Sequence, residues 1–183
     1  MGQGYTPEAF LAEAERLLER HGAGDAGFAK VAEALRRLAA EPGIADDLSL
    51  AGLHGSSSAT ILAEGPGGGA LMLASFPAGD PTPVHDHNSF GVLCVVRGHD
   101  RYLRWERLDD GGDPARAELR LAEERALGPG DVLWFGGPPH DIHSQEGVGG
   151  PAVELVFFGS NPNLRPRAYF DPAGGTVTYR HAT

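Results

Sequence analysis

Two histidines one residue apart, His85 and His87, stand inside the stretch PTPVHDHNSFGVLCVVRG (81–98), which otherwise reads as a buried β-strand. In an extended chain residues i and i+2 project to the same side, so two imidazoles at this spacing crowd one spot. A fold that contains this stretch must give both rings a common partner.

Composition narrows what that partner can be. The 183 residues, 41% of them hydrophobic, suffice for one domain with a real core. The 25 acidic and 15 basic residues give a net charge of −10, which disfavours binding to nucleic acid or to anionic membranes. The segment MGQGYTPEAFLAEAERLLERHG lacks the features of a signal peptide, and no apolar run is long enough to cross a bilayer, so a cytoplasmic protein is expected. Cys94 is the single cysteine, which leaves neither an internal disulfide nor a Cys-rich zinc site and restricts any metal to histidine and carboxylate ligands.

The chain has two textures. From Thr6 to about Ala40, apolar residues recur at helical spacing (Phe10, Leu11, Ala14, Leu17, Leu18, then Phe28, Val31, Leu35, Leu38). Thr6 and Pro7 mark a helix start, Gly22 and Gly24 a stop, and Pro42-Gly43 a second stop, which predicts an α-helical hairpin over residues 1–45. Beyond it, short strand-like segments alternate with Gly/Pro turns: 70–76, 90–96, 100–108, 118–123, 131–135, 152–158 and 176–180. Such spacing predicts a mainly β sandwich or barrel over residues 46–183, with the hairpin packed on it.

Gly79 precedes His85 by six residues and Gly98 closes the strand after His87, the G-x5-H-x-H-x3-(E)-x6-G arrangement of the first cupin motif with Gly91 in the glutamate position. GDVLWFGGPPHDIH resembles the second motif, with His143 as its histidine and His140 where glycine is usual. The chain thus resembles the cupins, and the resemblance implies a double-stranded β-helix (jelly-roll) barrel in which His85, His87 and His143 converge on one metal. Three imidazoles would leave coordination positions open, as chemistry requires.

Cupins with glycine or cysteine in place of the glutamate include the thiol dioxygenases of the cysteine dioxygenase family, which TPVHDHNSFGVLCVVRG and PPHDIHSQEGVGGPAVELVFFG resemble throughout. That resemblance implies Fe(II) at the three histidines and a reaction in which both atoms of O2 pass to the sulfur of a small thiol or thione, giving a sulfinate. It also exposes departures. The family's Ser-x-His-x-Tyr triad is replaced by Glu154, Val156 and Phe158, no arginine stands near Thr60 where the family binds a carboxylate, and Cys94 is not placed to crosslink a tyrosine.

Period-2 geometry puts Glu154, Val156 and Phe158 on one face. A carboxylate there needs a cation or a donor: either an ion pair with Arg104 or Arg165, or a cationic or N–H-bearing substrate. The second option makes Glu154 a catalytic and substrate-binding residue, with Phe158, Phe90 or Trp134 as an aromatic wall, Val156 beside them and His140 at the mouth. It points to an ergothioneine-like or cysteamine substrate rather than cysteine or 3-mercaptopropionate. A non-redox isomerase or hydrolase, with Glu154 as base or fourth ligand, and a small-molecule-binding module are the competing readings. Asp86 is expected to point away from the metal. The tail NPNLRPRAYFDP either straps the surface or brings Arg165, Arg167 and Tyr169 over the barrel mouth. Oligomeric state is left open.

Overall fold

The computed structural model describes residues 4–44 and 57–181. Helix α1 (Pro7–His21) starts where Thr6 Oγ1 accepts the Ala9 N–H (3.2 Å) and stops at Gly22, whose φ of 83° favours glycine. Helix α2 (Asp25–Ala39) follows at once, with Asp25 in its first turn and Arg36 and Arg37 in its last, each sign opposing the local end of the helix dipole. The boundary predicted between residues 45 and 46 lies outside the described residues.

Eleven strands follow: β1 (Ser58–Glu64), β2 (Ala70–Phe76), β3 (Val84–His85), β4 (Gly91–Arg97), β5 (Asp100–Arg107), β6 (Leu119–Leu127), β7 (Val132–Phe135), β8 (His143–Gly147), β9 (Ala152–Phe158), β10 (Arg167–Asp171) and β11 (Thr176–Arg180). They form two antiparallel sheets, ordered β1-β2-β9-β4-β7 and β11-β10-β3-β8-β5-β6. This is the mainly β, two-sheet jelly-roll barrel with an N-terminal helical hairpin that the sequence predicts. The single strand expected from His85 onward is corrected: His85 ends β3, His87 lies in the loop beyond it, and Asn88, at a φ of 54°, turns the chain before β4 begins at Gly91.

The first sheet is buried on both faces. Its outer face (Leu71, Leu73, Val92, Cys94, Leu155, Phe157) packs against the hairpin residues Phe10, Leu11, Val31, Leu35 and Leu38. Its inner face (Met72, Leu93, Val95, Val156, Phe158) meets Tyr102 and Leu127 of the second sheet. Double burial explains why β2 and β9 are near-continuous apolar runs rather than alternating ones. Gly98 closes the β4–β5 turn at a φ of 77°, and an added Cβ would stand 2.2 Å from the Pro151 carbonyl oxygen, so this motif glycine is required twice over.

Phe10 is fully buried and meets the Phe157 ring edge-on, centroids 5.6 Å apart. Phe10→Ala removes this contact and leaves a cavity under the hairpin; the expected loss is about 3–5 kcal/mol of unfolding free energy by urea denaturation.

Candidate metal centre

Three elements bring the histidines together. His85 pairs in register with His143 of β8 on one side and with Tyr169 of β10 on the other. His87 is set by its backbone: its N–H donates to Asp141 Oδ2 (3.0 Å), and Asp141 lies two residues before His143. Asp86 turns away, its Oδ1 accepting the Ala168 N–H at 2.9 Å and tying the loop to β10. The ligand nitrogens of His85, His87 and His143 lie within 4.8 Å of one another, and among the described residues no carboxylate joins the cluster.

A carbonyl partner assigns the tautomer of one ring. His85 Nδ1 stands 2.8 Å from the Pro83 carbonyl, which can only accept, so Nδ1 carries the proton and Nε2 its lone pair. His143 Nδ1 is braced at 3.1 Å by the Tyr102 hydroxyl. His87 Nε2 and His143 Nε2 stand 3.0 Å apart. Two neighbouring ligands at a right angle, each with a metal–nitrogen bond of about 2.1 Å, have that same separation of about 3.0 Å. Burial pulls the His85 pKa down to about 4 and those of His87 and His143 well below the ordinary value, so all three are neutral bases at neutral pH. A buried cluster of neutral imidazoles with converging lone pairs fits a divalent metal.

Gly91 explains the missing carboxylate. It faces the barrel interior at the start of β4, paired with Phe135 on β7, and a Cβ built there would lie 2.3 Å from the Phe135 ring. The ring fills the space through which a side chain at position 91 would reach the cluster. His87 in turn stands against Phe158 (4.6 Å between centroids) and Phe135 (6.0 Å). One side of the cluster is thus apolar and closed.

The other side opens into a cavity of about 370 Å³. Val156 and Phe158 line it, together with Phe135, Met72, Ala74 and Leu93. The remaining predicted substrate residues are corrected. Glu154 is fully buried and does not reach the cavity; Gln145 stands between, its Nε2 donating at 3.0 Å to both Glu154 Oε2 and Asp100 Oδ2. Neither predicted arginine pairs with it, since Arg104 bonds Glu123 and Arg165 is exposed. Phe90 packs on the outer side of the sheet against Phe28 and Phe157. Trp134 is 36% exposed on β7 and donates to Asp25 of α2 (3.1 Å), because its register opposite Val92 points it at the helices. His140 is exposed in the loop before β8.

The charged groups at the cavity are arginines. The tail does fold over the mouth, bringing Arg167 and Tyr169 but not Arg165 to the wall, and β11 adds Arg180. Arg167 donates from Nη2 to Asn163 Oδ1 (2.9 Å), while its buried Nε has no protein partner among the described residues. The Arg180 guanidinium covers the Tyr169 ring at 4.0 Å, and Tyr169 stacks on His85 at 5.9 Å.

Sequence reasoning missed Tyr102, Asp141, Gln145 and Arg180. Tyr102 had a signal, since its even spacing from Asp100 places both on one face of β5. Tyr102→Phe is expected to leave the fold intact and to weaken metal binding by about 10–100-fold, measured by competition with a chelator.

No family model and no curated protein matches the sequence. Among solved structures, the chain is similar to DMSP lyase DddQ from Ruegeria pomeroyi DSS-3, at 23% identity over 56% of this chain and 46% of that one, with a TM-score of 0.42. It is similar to an oxalate oxidase at 23% identity over 63% of this chain and 58% of that one, TM-score 0.49. A cupin superfamily protein from Desulfitobacterium hafniense DCB-2 aligns at 18% identity over 56% of this chain and 76% of that one, TM-score 0.40. The aligned segment spans about half the length of the first two.

Proposed function

We propose that this chain is a cupin enzyme, a non-haem Fe(II) thiol dioxygenase whose substrate is a small thiol bearing a carboxylate. The observation that carries the reading is the pairing of an all-histidine cluster, its carboxylate position closed by Phe135, with a cavity whose accessible charges are arginines. His85, His87 and His143 would hold the metal. Bound ferrous iron supplies affinity for a thiolate and the redox reactivity that lets dioxygen combine with sulfur. The balance is simple: a thiolate and O2 give a sulfinate, with two S–O bonds formed, the O–O bond broken, and no outside reductant.

The chain's own residues do the rest. Neutral ligands leave the full charge of the cation unneutralised, which favours an anionic sulfur over a thiol. The unpartnered Arg167 Nε, together with Arg180, offers N–H donors of matching charge to a carboxylate. Phe158, Phe135 and Val156 keep the wall beside His87 apolar and exclude water.

The cationic substrate expected from the sequence required Glu154 in the cavity. With Glu154 sealed behind Gln145 and two arginines at the mouth, the electrostatic preference reverses.

Oxygen consumption by iron-loaded protein, with the product read by mass, tests this on cysteine, 3-mercaptopropionate, cysteamine and ergothioneine. Arg167→Met is expected to raise KM for the carboxylate-bearing thiols by about 10–100-fold and to leave cysteamine turnover unchanged. An equal loss on cysteamine would remove the carboxylate assignment. Iron-loaded protein that consumes no oxygen with any thiol would turn the reading to a non-redox metal-dependent cupin.

A further inference from the structure

Behind the metal cluster lies a polar assembly that metal binding does not use. Asp100 of β5 and Glu154 of β9 are both fully buried, and they face each other across the deep end of the barrel. Burial raises both carboxyl groups, Asp100 to about 6 and Glu154 well above the ordinary value, and the charge of Asp100 raises Glu154 further. Asp100 Oδ1 and Glu154 Oε1 are buried and have no hydrogen-bond donor among the described residues. Their remaining oxygens, Oδ2 and Oε2, each accept from Gln145 Nε2 at 3.0 Å.

This fixes the orientation of one amide. Only the NH2 end of a glutamine can donate, and here Nε2 is the end that stands 3.0 Å from both carboxyl oxygens. The carbonyl end must turn the other way. Gln145 lies two residues beyond His143 on β8, so its side chain projects to the same interior face as that ligand, and it lines the cavity. Among the described residues no donor reaches its Oε1, and that oxygen is not sealed from solvent.

We infer that Gln145 is a specificity-determining residue, whose Oε1, aimed by the Asp100–Glu154 pair, accepts a hydrogen bond from an N–H group of a substrate held beside the histidine cluster. The inference rests on the proposed binding of a small substrate at the metal, and it adds a third point of recognition to the sulfur and the carboxylate. The other polar groups on the wall do not select in this way. Ser58 and Thr82 carry hydroxyls that donate as readily as they accept, and Asn163 Oδ1 is already occupied by Arg167. A substrate lacking the N–H would displace water from Oε1 and leave it unpaired, the costly outcome for a buried acceptor. Asp100 and Glu154 act through Gln145 and are positioning residues.

Matched pairs that differ only in the amine test this by calorimetry on the metal-loaded protein without oxygen: cysteine against 3-mercaptopropionate, and, free of sulfur, serine against 3-hydroxypropionate. The wild-type protein is expected to bind the amine-bearing member of each pair about tenfold or more tightly. Gln145→Met is expected to bring both ratios near one while the affinity for the amine-free members stays within about threefold. Glu154→Gln should also shrink the ratios, because its amide can donate to Gln145 Oε1 and let the side chain turn. No amine preference in the wild-type protein, or a Gln145→Met effect equal on both members of a pair, overturns the inference. An amine preference in the sulfur-free pair without oxygen uptake on any thiol would keep Gln145 and remove the dioxygenase. Oxygen uptake without amine discrimination would do the reverse.

Discussion

Three buried imidazoles whose nitrogens lie within 4.8 Å of one another set the terms for the rest of this structure. Protonated, they would repel one another in a medium that also penalises charge, so burial keeps them neutral. Neutral, they turn lone pairs toward a common point, an arrangement that gains little unless a cation shares it. The surrounding contacts serve to hold that convergence. The Pro83 carbonyl and the Tyr102 hydroxyl engage the far nitrogens of His85 and His143, and Asp141 holds the backbone of His87 where no strand ladder reaches.

The two sheets divide the labour. The second sheet carries ligands, with His85 on β3 and His143 on β8, whereas the first supplies a dry wall behind them. That wall is stiff because the helical hairpin covers its other face: Phe28 packs on Phe90 and Phe10 on Phe157, so β4 and β9 are clamped from outside. A clamped β4 keeps Gly91 pressed to the Phe135 ring, and this contact, rather than an absent side chain alone, closes the place of a fourth ligand. The hairpin thereby bears on the metal site without touching it.

What was legible in the sequence followed local rules. Helical periodicity, caps and glycine stops located the hairpin, and the spacing of Gly79, His85, His87 and Gly98, with His143 in the second motif, picked out the three histidines that cluster. The strands that were not legible are those that carry the histidine cluster. β8, HSQEG, is polar at four of its five positions although almost wholly buried, because its side chains meet a ligand cluster and hydrogen bonds instead of apolar neighbours. β3 has two residues, too few for any period to show. Tyr102 is masked in the sequence by Arg101 and Arg104 on the same strand, which reach solvent and pair with Glu146 and Glu123. Phe90 and Trp134 were misplaced for a related reason. An aromatic residue suits either side of the first sheet, and only its place in the fold decides which: Trp134 stands in register opposite Val92, and Phe90, just before β4, packs on Phe157.

Glu154 shows why knowing the face of a strand does not locate a residue in a site. It shares the interior face of β9 with Val156 and Phe158, as alternation requires, yet only those two line the cavity. Position along the strand is the second coordinate: Phe158 stands beside His87, whereas Glu154, four residues deeper, meets Asp100 and Gln145. At that depth no cation among the described residues meets the carboxyl group, and burial beside Asp100 raises its pKa well above the ordinary value. The charge that would have attracted a cation is therefore spent inside the protein on orienting a neutral amide. What the cavity presents instead is arginine at its mouth, a neutral acceptor at its depth and three neutral bases between, the layout on which the proposed substrate, with an acid at one end and an N–H at the other, rests.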